Sequence, residues 1–111
     1  MEFNKENFKS EVEENKGLVL IDFFASWCGP CKLMHPVVDA LIEEYKDKSI
    51  KIGKVDIDKS PDLAEQYEVM GVPTFIFLKE GKIIDRFSGY KSKEEVRDLI
   101  NKHLGNDLSP E

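Results

Sequence analysis

The sequence predicts one α/β domain, a three-layer α/β/α sandwich with a central mixed sheet. Strand patterns alternate with helical patterns in the first half of the 111 residues, and a hairpin followed by a helix closes the chain. The strand Leu18–Phe24 is apolar on both alternating faces, which is typical of a central strand covered on both sides. We assign residues 1–105 to the domain and residues 106–111 to a flexible polar tail.

The first helix is expected to begin at Asn4, a good N-cap residue, with Phe3 and Phe8 at the spacing of a hydrophobic staple. It should end near residues 15–17, before the Leu18–Phe24 strand. A second helix follows the cysteine segment 28–31 at once. Its apolar face, at helical spacing, comprises Met34, Val37, Val38, Leu41, Ile42 and Tyr45.

The second half of the chain is predicted to contain three strands and two helices. In order these are strand Ile50–Ile57, a short helix from Ser60-Pro61, strands Thr74–Leu78 and Ile83–Phe87, and a last helix from the capping box Ser92–Glu95. The segment between the last two strands contains Gly81 and is typical of a hairpin turn. The last helix is expected to stop at Gly105.

Charge and hydropathy argue against two classes of partner. The formal net charge is −6 and the Lys and Arg residues are scattered among the acids, so the clustered basic face that nucleic acid requires is absent from the sequence. No apolar run approaches the roughly 20 residues of a membrane span, and residues 1–6 contain no apolar signal core. We therefore expect a monomeric, cytoplasmic protein in a reducing setting, where two cysteines are rarely a permanent cross-link.

The two cysteines, Cys28 and Cys31, lie three residues apart at a predicted strand-to-helix junction. Cys28 falls where the helix begins, so free backbone N–H groups and the helix dipole favour its thiolate, which is the form that attacks disulfides. Cys31 lies one turn further in, within reach of Cys28 but more buried. This arrangement predicts an exposed, attacking Cys28 and a Cys31 that resolves the mixed disulfide and leaves the enzyme oxidised.

Other chemistry for the cysteine pair has weaker support. A structural zinc site usually needs four ligands, and His35 and His103 do not provide the usual spacing. An iron–sulfur cluster needs more cysteines, and covalent haem needs a histidine where Lys32 stands. Two buried thiols without function would leave Gly29-Pro30 at a helix start unexplained. We therefore predict redox chemistry without a metal or bound cofactor, and interpret both histidines as surface or packing residues.

The segment Trp27-Cys28-Gly29-Pro30-Cys31-Lys32 resembles the active-site motif of the thioredoxin family. Further matches fall in the family's order and approximate spacing over residues 3–104: Asp22-Phe23, Pro36, Lys54-Val55-Asp56, Gly71-Val72-Pro73-Thr74, Gly81 and Gly89. The sequence departs from the family at Phe24, where many members have a second Trp, and His35 occupies a position that the family varies. The segment before Phe8 is short, so the family's first strand is expected to be a stub or absent.

The resemblance implies the thioredoxin fold, with the active site at the end of the Leu18–Phe24 strand, and reduction of exposed protein disulfides. It implies a thioredoxin reductase that regenerates the Cys28–Cys31 dithiol, and disulfide-containing substrates such as ribonucleotide reductase, methionine sulfoxide reductase and peroxiredoxin. The dipeptide Gly29-Pro30 contains no histidine that would stabilise the reduced form further, which favours a reductant over an oxidase or isomerase.

Two charged residues in the predicted strands are candidates for supporting roles. Asp22 interrupts an apolar strand, so it is either a buried Asp satisfied by hydrogen bonds or, as the resemblance also implies, the proton acceptor for Cys31; burial should raise its pKa. Lys54 has the same strand parity as Ile50 and Ile52, so it is able to point inward. The resemblance places it near Asp22 as a charge partner; the alternative is an ammonium group that reaches solvent.

Substrate contact is predicted for Trp27, Gly71, Val72, Pro73 and Gly89. Trp27, next to the cysteine motif, is expected to form a partly exposed apolar rim instead of a core residue. Residue chemistry alone favours a trans Val72-Pro73 bond, whereas the resemblance implies a cis bond beside the cysteines, with the Val72 backbone able to pair with an extended substrate. Gly71 and Gly89 are expected to let substrate backbone approach, although Gly89 also suits a bulge.

Two rival functions stay open at this point. The first is a binding module whose docking surface matters and whose thiols are incidental. The second is a metal-bridged dimer, which would hold stoichiometric metal through paired cysteines. The binding module would fail to accelerate the reduction of a protein disulfide.

Overall fold

The four strands form one mixed sheet in the order β2-β1-β3-β4. In the computed structural model, which describes the backbone of residues 1–108 and the side chains of residues 1–105, the strands are β1 (Leu18–Phe24), β2 (Ile50–Asp56), β3 (Thr74–Lys79) and β4 (Lys82–Ser88). β1 pairs in parallel with β2 and antiparallel with β3, and β3 pairs antiparallel with β4. The predicted mixed sheet is confirmed, and each strand end lies within one residue of its prediction.

Four helical segments are described: a π-helix (Lys9–Glu13), α1 (Gly29–Glu44), α2 (Pro61–Gln66) and α3 (Lys93–Leu108). The short helix predicted from its proline is confirmed by α2, although the Ser60 side chain makes no capping hydrogen bond. Within residues 1–108, no helix is both long enough and apolar enough to cross a membrane.

Alternation along β1 divides the core between the two faces of the sheet. Leu18 and Leu20 face α1 and α3, in a buried cluster that includes Met34, Val38, Leu41, Phe75, Phe77, Val96 and Ile100. The intervening β1 residues face the other way, in a second buried cluster that includes Phe3, Phe8, Val12, Leu63 and Tyr67. Helices therefore cover both faces, and the predicted three-layer sandwich is confirmed.

The first helix begins later than its predicted start at Asn4 and is shorter than expected. The Asn4 side-chain oxygen accepts the Asn7 N–H at 3.0 Å, and the Asn7 side chain accepts the Asn4 N–H at 2.9 Å, so the two side chains close the turn that precedes the helix, whose N-cap residue is Phe8. The rings of Phe3 and Phe8 meet edge to face with centroids 6.3 Å apart, as the staple predicts. Regular structure is limited to the five-residue π-helix Lys9–Glu13, which ends before the predicted boundary.

The first strand expected from the family is only a stub. Glu2 forms an isolated parallel bridge with Lys54, whose carbonyl accepts the Phe3 N–H at 2.7 Å and whose N–H donates to the Met1 carbonyl at 2.9 Å. Phe3 then lies against Gly53 of β2, where a Cβ atom would stand 2.6 Å from the ring. The glycine therefore makes the space that lets Phe3 be fully buried.

The β3–β4 connection is the predicted hairpin. Glu80 and Gly81 at its tip have φ values of 53° and 76°, which is the left-handed pair that a two-residue turn of this kind requires. A Cβ atom at Gly81 would also lie 2.8 Å from the carbonyl oxygen of Glu13. Glycine is thus required there by backbone conformation and by the close approach of the π-helix.

The capping box at the start of α3 is confirmed, and the stop predicted at Gly105 is wrong. The Ser92 N–H donates to the Glu95 carboxylate at 2.9 Å, and the Glu95 N–H donates to the Ser92 hydroxyl oxygen at 3.1 Å. A glycine ends a helix by adopting a left-handed backbone conformation, as Gly81 and Gly89 do elsewhere in this chain. Gly105 does not adopt it, and α3 continues to Leu108. The predicted tail begins inside α3, and its residues 109–111 lie outside the described residues.

Candidate active site

The two cysteines lie at the junction between β1 and α1, where they form a disulfide. Cys28 is the N-cap residue of α1, and its Sγ accepts the N–H of Cys31 at 3.1 Å. Gly29 and Pro30 occupy the first turn, where a proline needs no N–H partner. The Cys28 sulfur therefore takes the place of the side-chain oxygen that usually caps a helix, at the positive end of the helix dipole.

The two cysteines differ little in exposure. Cys28 is 4% exposed and Cys31 is 1% exposed, so the expectation of an exposed Cys28 is wrong for the disulfide form. Both cysteines pack in a buried cluster with Ala25, against Phe24 and Val72, and the Cys28 Sγ lies 3.6 Å from the Val72 carbonyl oxygen. These contacts cover the bonded sulfurs. A disulfide sulfur carries no proton, so in this oxidised form Cys28 donates no hydrogen bond to the Val72 carbonyl. In the reduced protein the Cys28 thiol is able to donate one.

An exposed aromatic side chain stands beside the disulfide. Trp27 is 67% exposed, in agreement with its predicted place on a surface rim, and its indole N–H donates to Asp58 Oδ2 at 3.0 Å. That bond fixes one edge of the ring while the rest of the ring stays in solvent. Asp58 was not among the predicted site residues, since it follows β2 by two positions and nothing local to it indicates a partner 31 residues away.

The segment that precedes β3 lies against the disulfide through Val72. The Val72-Pro73 peptide bond is cis, as the resemblance implies and against the trans bond that residue chemistry alone favours. The Pro73 carbonyl accepts the N–H of Gly89 at 3.0 Å, and the Thr74 hydroxyl donates to the Gly71 carbonyl at 2.6 Å. Gly89 has a φ of 87°, a backbone conformation that favours glycine, whereas a Cβ atom there would meet nothing within 4 Å. Gly71 is exposed, whereas Pro73 is buried.

Asp22 is buried on the face of β1 that looks toward α1. It shares that face with Leu18 and Leu20, and with Phe24, which packs against the cysteine cluster. Asp22 is 1% exposed, and neither carboxylate oxygen has a hydrogen-bond partner among the side chains and backbone that the structure describes. Burial raises its pKa from 3.8 to about 7, against the opposing effect of the Lys54 charge. The side chain is therefore poised to gain or lose a proton near neutral pH.

Lys54 lies opposite Asp22 in the β1–β2 register but donates its hydrogen bonds elsewhere. Its ammonium nitrogen is 2.8 Å from Asp39 Oδ1 and 3.3 Å from His35 Nδ1, both on α1. The Lys54 side chain is 17% exposed, so it is mostly covered, and its ammonium group pairs with the exposed carboxylate of Asp39. The resemblance correctly places its charge near Asp22, but that charge acts through space and not through a bond.

Among the side chains that the structure describes, no group of three or more His, Cys, Asp and Glu residues is arranged to hold a metal ion. His103 lies away from the cysteines: its Nε2 pairs with Asp85 Oδ2 at 3.0 Å and its ring rests on Phe77. Reactive groups that the structure places at the β1–α1 junction include the disulfide and, on β1, the buried carboxyl group of Asp22.

Comparison with known proteins agrees with this site. A family model described as Thioredoxin matches residues 1–102. The chain belongs to the thioredoxin family. It is 52% identical over 98 residues to the thioredoxin of Chlamydia caviae, a match that covers 88% of this chain and 92% of that protein. It is 44% identical over 99 residues to the thioredoxin of Bacillus subtilis strain 168, covering 89% and 92%, respectively. It is 38% identical over 104 residues to the thioredoxin of Chlorobaculum thiosulfatiphilum, covering 94% and 95%.

Membership of the thioredoxin family, together with the Cys28–Cys31 disulfide, makes the chain a thiol–disulfide oxidoreductase of the protein-disulfide reductase type. The ring of Phe24, at the end of β1, meets that of His35 on α1 edge to face, with centroids 5.0 Å apart. Sequence reasoning interpreted His35 as a surface or packing residue and passed over Asp39. Their spacing of four on a helix that faces Lys54 is the signal that could have found them.

Proposed function

We propose that Cys28 is the nucleophile and Cys31 the resolving thiol in the reduction of exposed disulfides of other proteins. The observation that carries this assignment is the 3.1 Å bond from the Cys31 N–H to the Cys28 sulfur at the start of α1. A backbone donor and the helix dipole both stabilise negative charge on Cys28, which favours its thiolate in the reduced protein. Gly29 and Pro30 support this role because they shape the turn that points the N–H at the sulfur.

The proposed reaction has two exchanges that transfer two electrons in all. The Cys28 thiolate attacks one sulfur of the substrate disulfide, the substrate S–S bond breaks, and the displaced sulfur leaves as a thiolate that takes up a proton. Cys31 then loses its proton and attacks the Cys28 sulfur. The mixed disulfide breaks, the second substrate sulfur leaves, and the Cys28–Cys31 disulfide of this structure is formed.

Asp22 is the proposed acceptor for the Cys31 proton. It lies on the α1-facing side of β1, it has no hydrogen-bond partner, and its raised pKa leaves it able to bind a proton near neutral pH. A general base is most effective when its pKa is close to the working pH. In the reverse direction the protonated Asp22 would return the proton to Cys31 as the disulfide is reduced.

A substrate-binding surface is proposed around the disulfide, formed by Trp27, Gly71, Val72, Pro73 and Gly89. The exposed indole offers apolar contact area, and the Val72 backbone beside the Cys28 sulfur is available for strand-like pairing with an extended substrate. The left-handed Gly89 carries no side chain that would obstruct a substrate backbone on this side. Together these features favour extended, exposed segments around the target disulfide.

Family membership supports further proposals about partners and setting. A thioredoxin reductase would regenerate the dithiol, and the protein would act as a monomeric electron carrier in the cytoplasm. Ribonucleotide reductase, methionine sulfoxide reductase and peroxiredoxin are the substrates proposed by family resemblance. The redox centre proposed here needs no bound cofactor, because the Cys28–Cys31 dithiol carries both electrons and becomes the disulfide when it gives them up.

Insulin reduction with dithiothreitol tests the roles of the two cysteines. The wild type should accelerate the reduction, and Cys28→Ser and Cys31→Ser should each abolish the acceleration. Cys31→Ser should also accumulate a mixed disulfide with substrate in a lysate, whereas Cys28→Ser should not. Absence of acceleration by the wild type would favour the binding-module alternative, and mixed disulfides on Cys28→Ser would reverse the assignment. Stoichiometric metal with a mass that depends on concentration would instead indicate the metal-bridged dimer.

A further inference from the structure

The Lys54 ammonium group is bound to α1 although a buried carboxylate lies on the neighbouring strand. Asp22 and Lys54 are register partners in adjacent parallel strands, which are about 4.8 Å apart, so a free lysine side chain is long enough to reach Asp22. An unpaired buried carboxylate is a strong attractor for such a cation. Nevertheless, neither Asp22 oxygen has a hydrogen-bond partner within the described part of the chain, and the Lys54 ammonium nitrogen is 2.8 Å from Asp39 Oδ1 and 3.3 Å from His35 Nδ1.

Two features of α1 hold the ammonium group in this position. Asp39 supplies a charged acceptor, and His35, one turn earlier on the same helix face, supplies a neutral one. Edge-to-face contact with Phe24, centroids 5.0 Å apart, orients the imidazole ring. Burial, with the Lys54 charge as a second cause, lowers the pKa of His35 and keeps the Nδ1 lone pair available to accept.

We propose that His35 and Asp39 are positioning residues that tether the Lys54 ammonium group to α1 and so keep the Asp22 carboxyl group unpaired. The proposal extends the proton-acceptor role proposed above for Asp22. A carboxylate that pairs directly with lysine stays ionised and is a weak base, whereas an unpaired buried carboxyl group can bind and release a proton near neutral pH. The tether thus decides which of these two states Asp22 adopts.

The charged groups that act on Asp22 come from two elements. Lys54 on β2 lowers its pKa and Asp39 on α1 raises it, while β3 places the apolar Phe75 opposite it. Release of the lysine would bring the cation closer to Asp22 and lower the pKa further. Replacing Asp39 releases Lys54 and also removes a negative charge that raises the pKa of Asp22. Its effect on that pKa therefore combines two causes. Replacing the neutral His35 removes an acceptor alone.

The decisive variant is His35→Leu, measured in the oxidised protein by following the Asp22 carboxyl carbon through a pH titration by NMR. We expect the pKa of Asp22 to fall by about one unit, as for a carboxylate that gains a nearby cation. His35→Gln, which restores a side-chain oxygen acceptor, should recover most of the wild-type value. In a Lys54→Met background, the same His35→Leu change should leave the Asp22 pKa unmoved.

Asp39→Asn provides a second route, because the Asp39 side chain is 65% exposed and its replacement does not disturb the core. It should lower the Asp22 pKa, and most of this effect should vanish in the Lys54→Met background. Glu43→Gln is the matched control, since it removes an exposed carboxylate from α1 that pairs with Lys46 instead of Lys54. It should leave the pKa of Asp22 where it is.

An unchanged Asp22 pKa in both His35→Leu and Asp39→Asn would overturn the tether. So would a shift that persists in full when Lys54 is methionine. The pH profile of mixed-disulfide resolution separates this proposal from the role of Asp22 itself. If the NMR pKa falls and the midpoint of the profile falls with it, both proposals are supported. If only the NMR pKa falls, the tether holds and the proton-acceptor role of Asp22 is refuted.

Discussion

Replacing the buried Asp22 by asparagine should raise the free energy of unfolding at alkaline pH and leave it nearly unchanged at acidic pH. Burial raises the Asp22 pKa from 3.8 to about 7 in the folded protein, where its carboxylate has no hydrogen-bond partner. In the unfolded chain the group titrates near its ordinary value, so between about pH 4 and pH 7 the folded state binds the additional proton. Stability therefore falls as the pH rises through this window, and the loss is complete above the folded pKa.

The size of this loss follows from the gap between the two pKa values. A gap of roughly three pH units corresponds to about 4 kcal/mol, at 1.36 kcal/mol per unit. Asparagine is close in size and polarity to a protonated Asp22 and does not ionise, so the variant does not lose stability as the pH rises through this window. At pH 9, Asp22→Asn should be more stable than the wild type by up to about 4 kcal/mol, and at pH 3 the two should agree within about 1 kcal/mol.

Urea unfolding of the oxidised proteins, followed by circular dichroism from pH 3 to pH 9, measures this difference directly. Asp47→Asn removes an exposed carboxylate and controls for the change in net charge. The same Asp22→Asn variant should reduce insulin more slowly at neutral pH, because Cys31 loses its proposed proton acceptor. A stability difference that is equal at pH 3 and pH 9, or a wild type that is the more stable protein at pH 9, would refute the reasoning.

Three other substitutions have expected outcomes that single measurements can check. Gly53→Ala should destabilise the fold by about 1–3 kcal/mol, because its Cβ would stand 2.6 Å from the buried Phe3 ring; an unchanged melting temperature would contradict this. Gly105→Ala should instead stabilise α3 by about 0.5–1 kcal/mol, since its Cβ meets nothing within 4 Å, and a lower melting temperature would argue against the helix there. Trp27→Ala should lower kcat/KM for insulin by about tenfold and leave the reduction of a small aromatic disulfide unchanged; equal losses on both substrates would exclude a docking role.

The strands were within reach of the sequence because each depends on a local pattern. The uninterrupted apolar run Leu18–Phe24 predicts a central strand, and β1 does pair on both sides. Side-chain alternation places Asp22 on the same face as Leu18 and Leu20, and the structure shows that this face is the one toward α1. The hairpin at Gly81 was predictable for the same reason, because the left-handed backbone conformation that such a turn requires involves only two consecutive residues.

Contacts between distant residues were not within reach of local patterns. Lys54 pairs with Asp39 instead of Asp22 because of the way α1 lies over the sheet. Strand parity alone was compatible both with a charge partner for Lys54 and with a solvent-exposed ammonium group. Burial of Cys28 likewise depends on Val72, which lies 44 residues further along the chain. Gly105 shows the opposite error, since a residue type that often ends helices does so only where the backbone turns left-handed.

The arrangement of α1 explains why one helix can serve both the thiol chemistry and the proton chemistry. Its first turn directs a backbone N–H at the Cys28 sulfur, which favours negative charge at the helix N-terminus. Further along the same helix, His35 and Asp39 hold the Lys54 cation. Asp22 on the adjacent strand thus experiences the lysine charge without bonding to it. A rigid helix fixes the donor to the Cys28 sulfur and the acceptors of the Lys54 ammonium group relative to one another, so both conditions are met together.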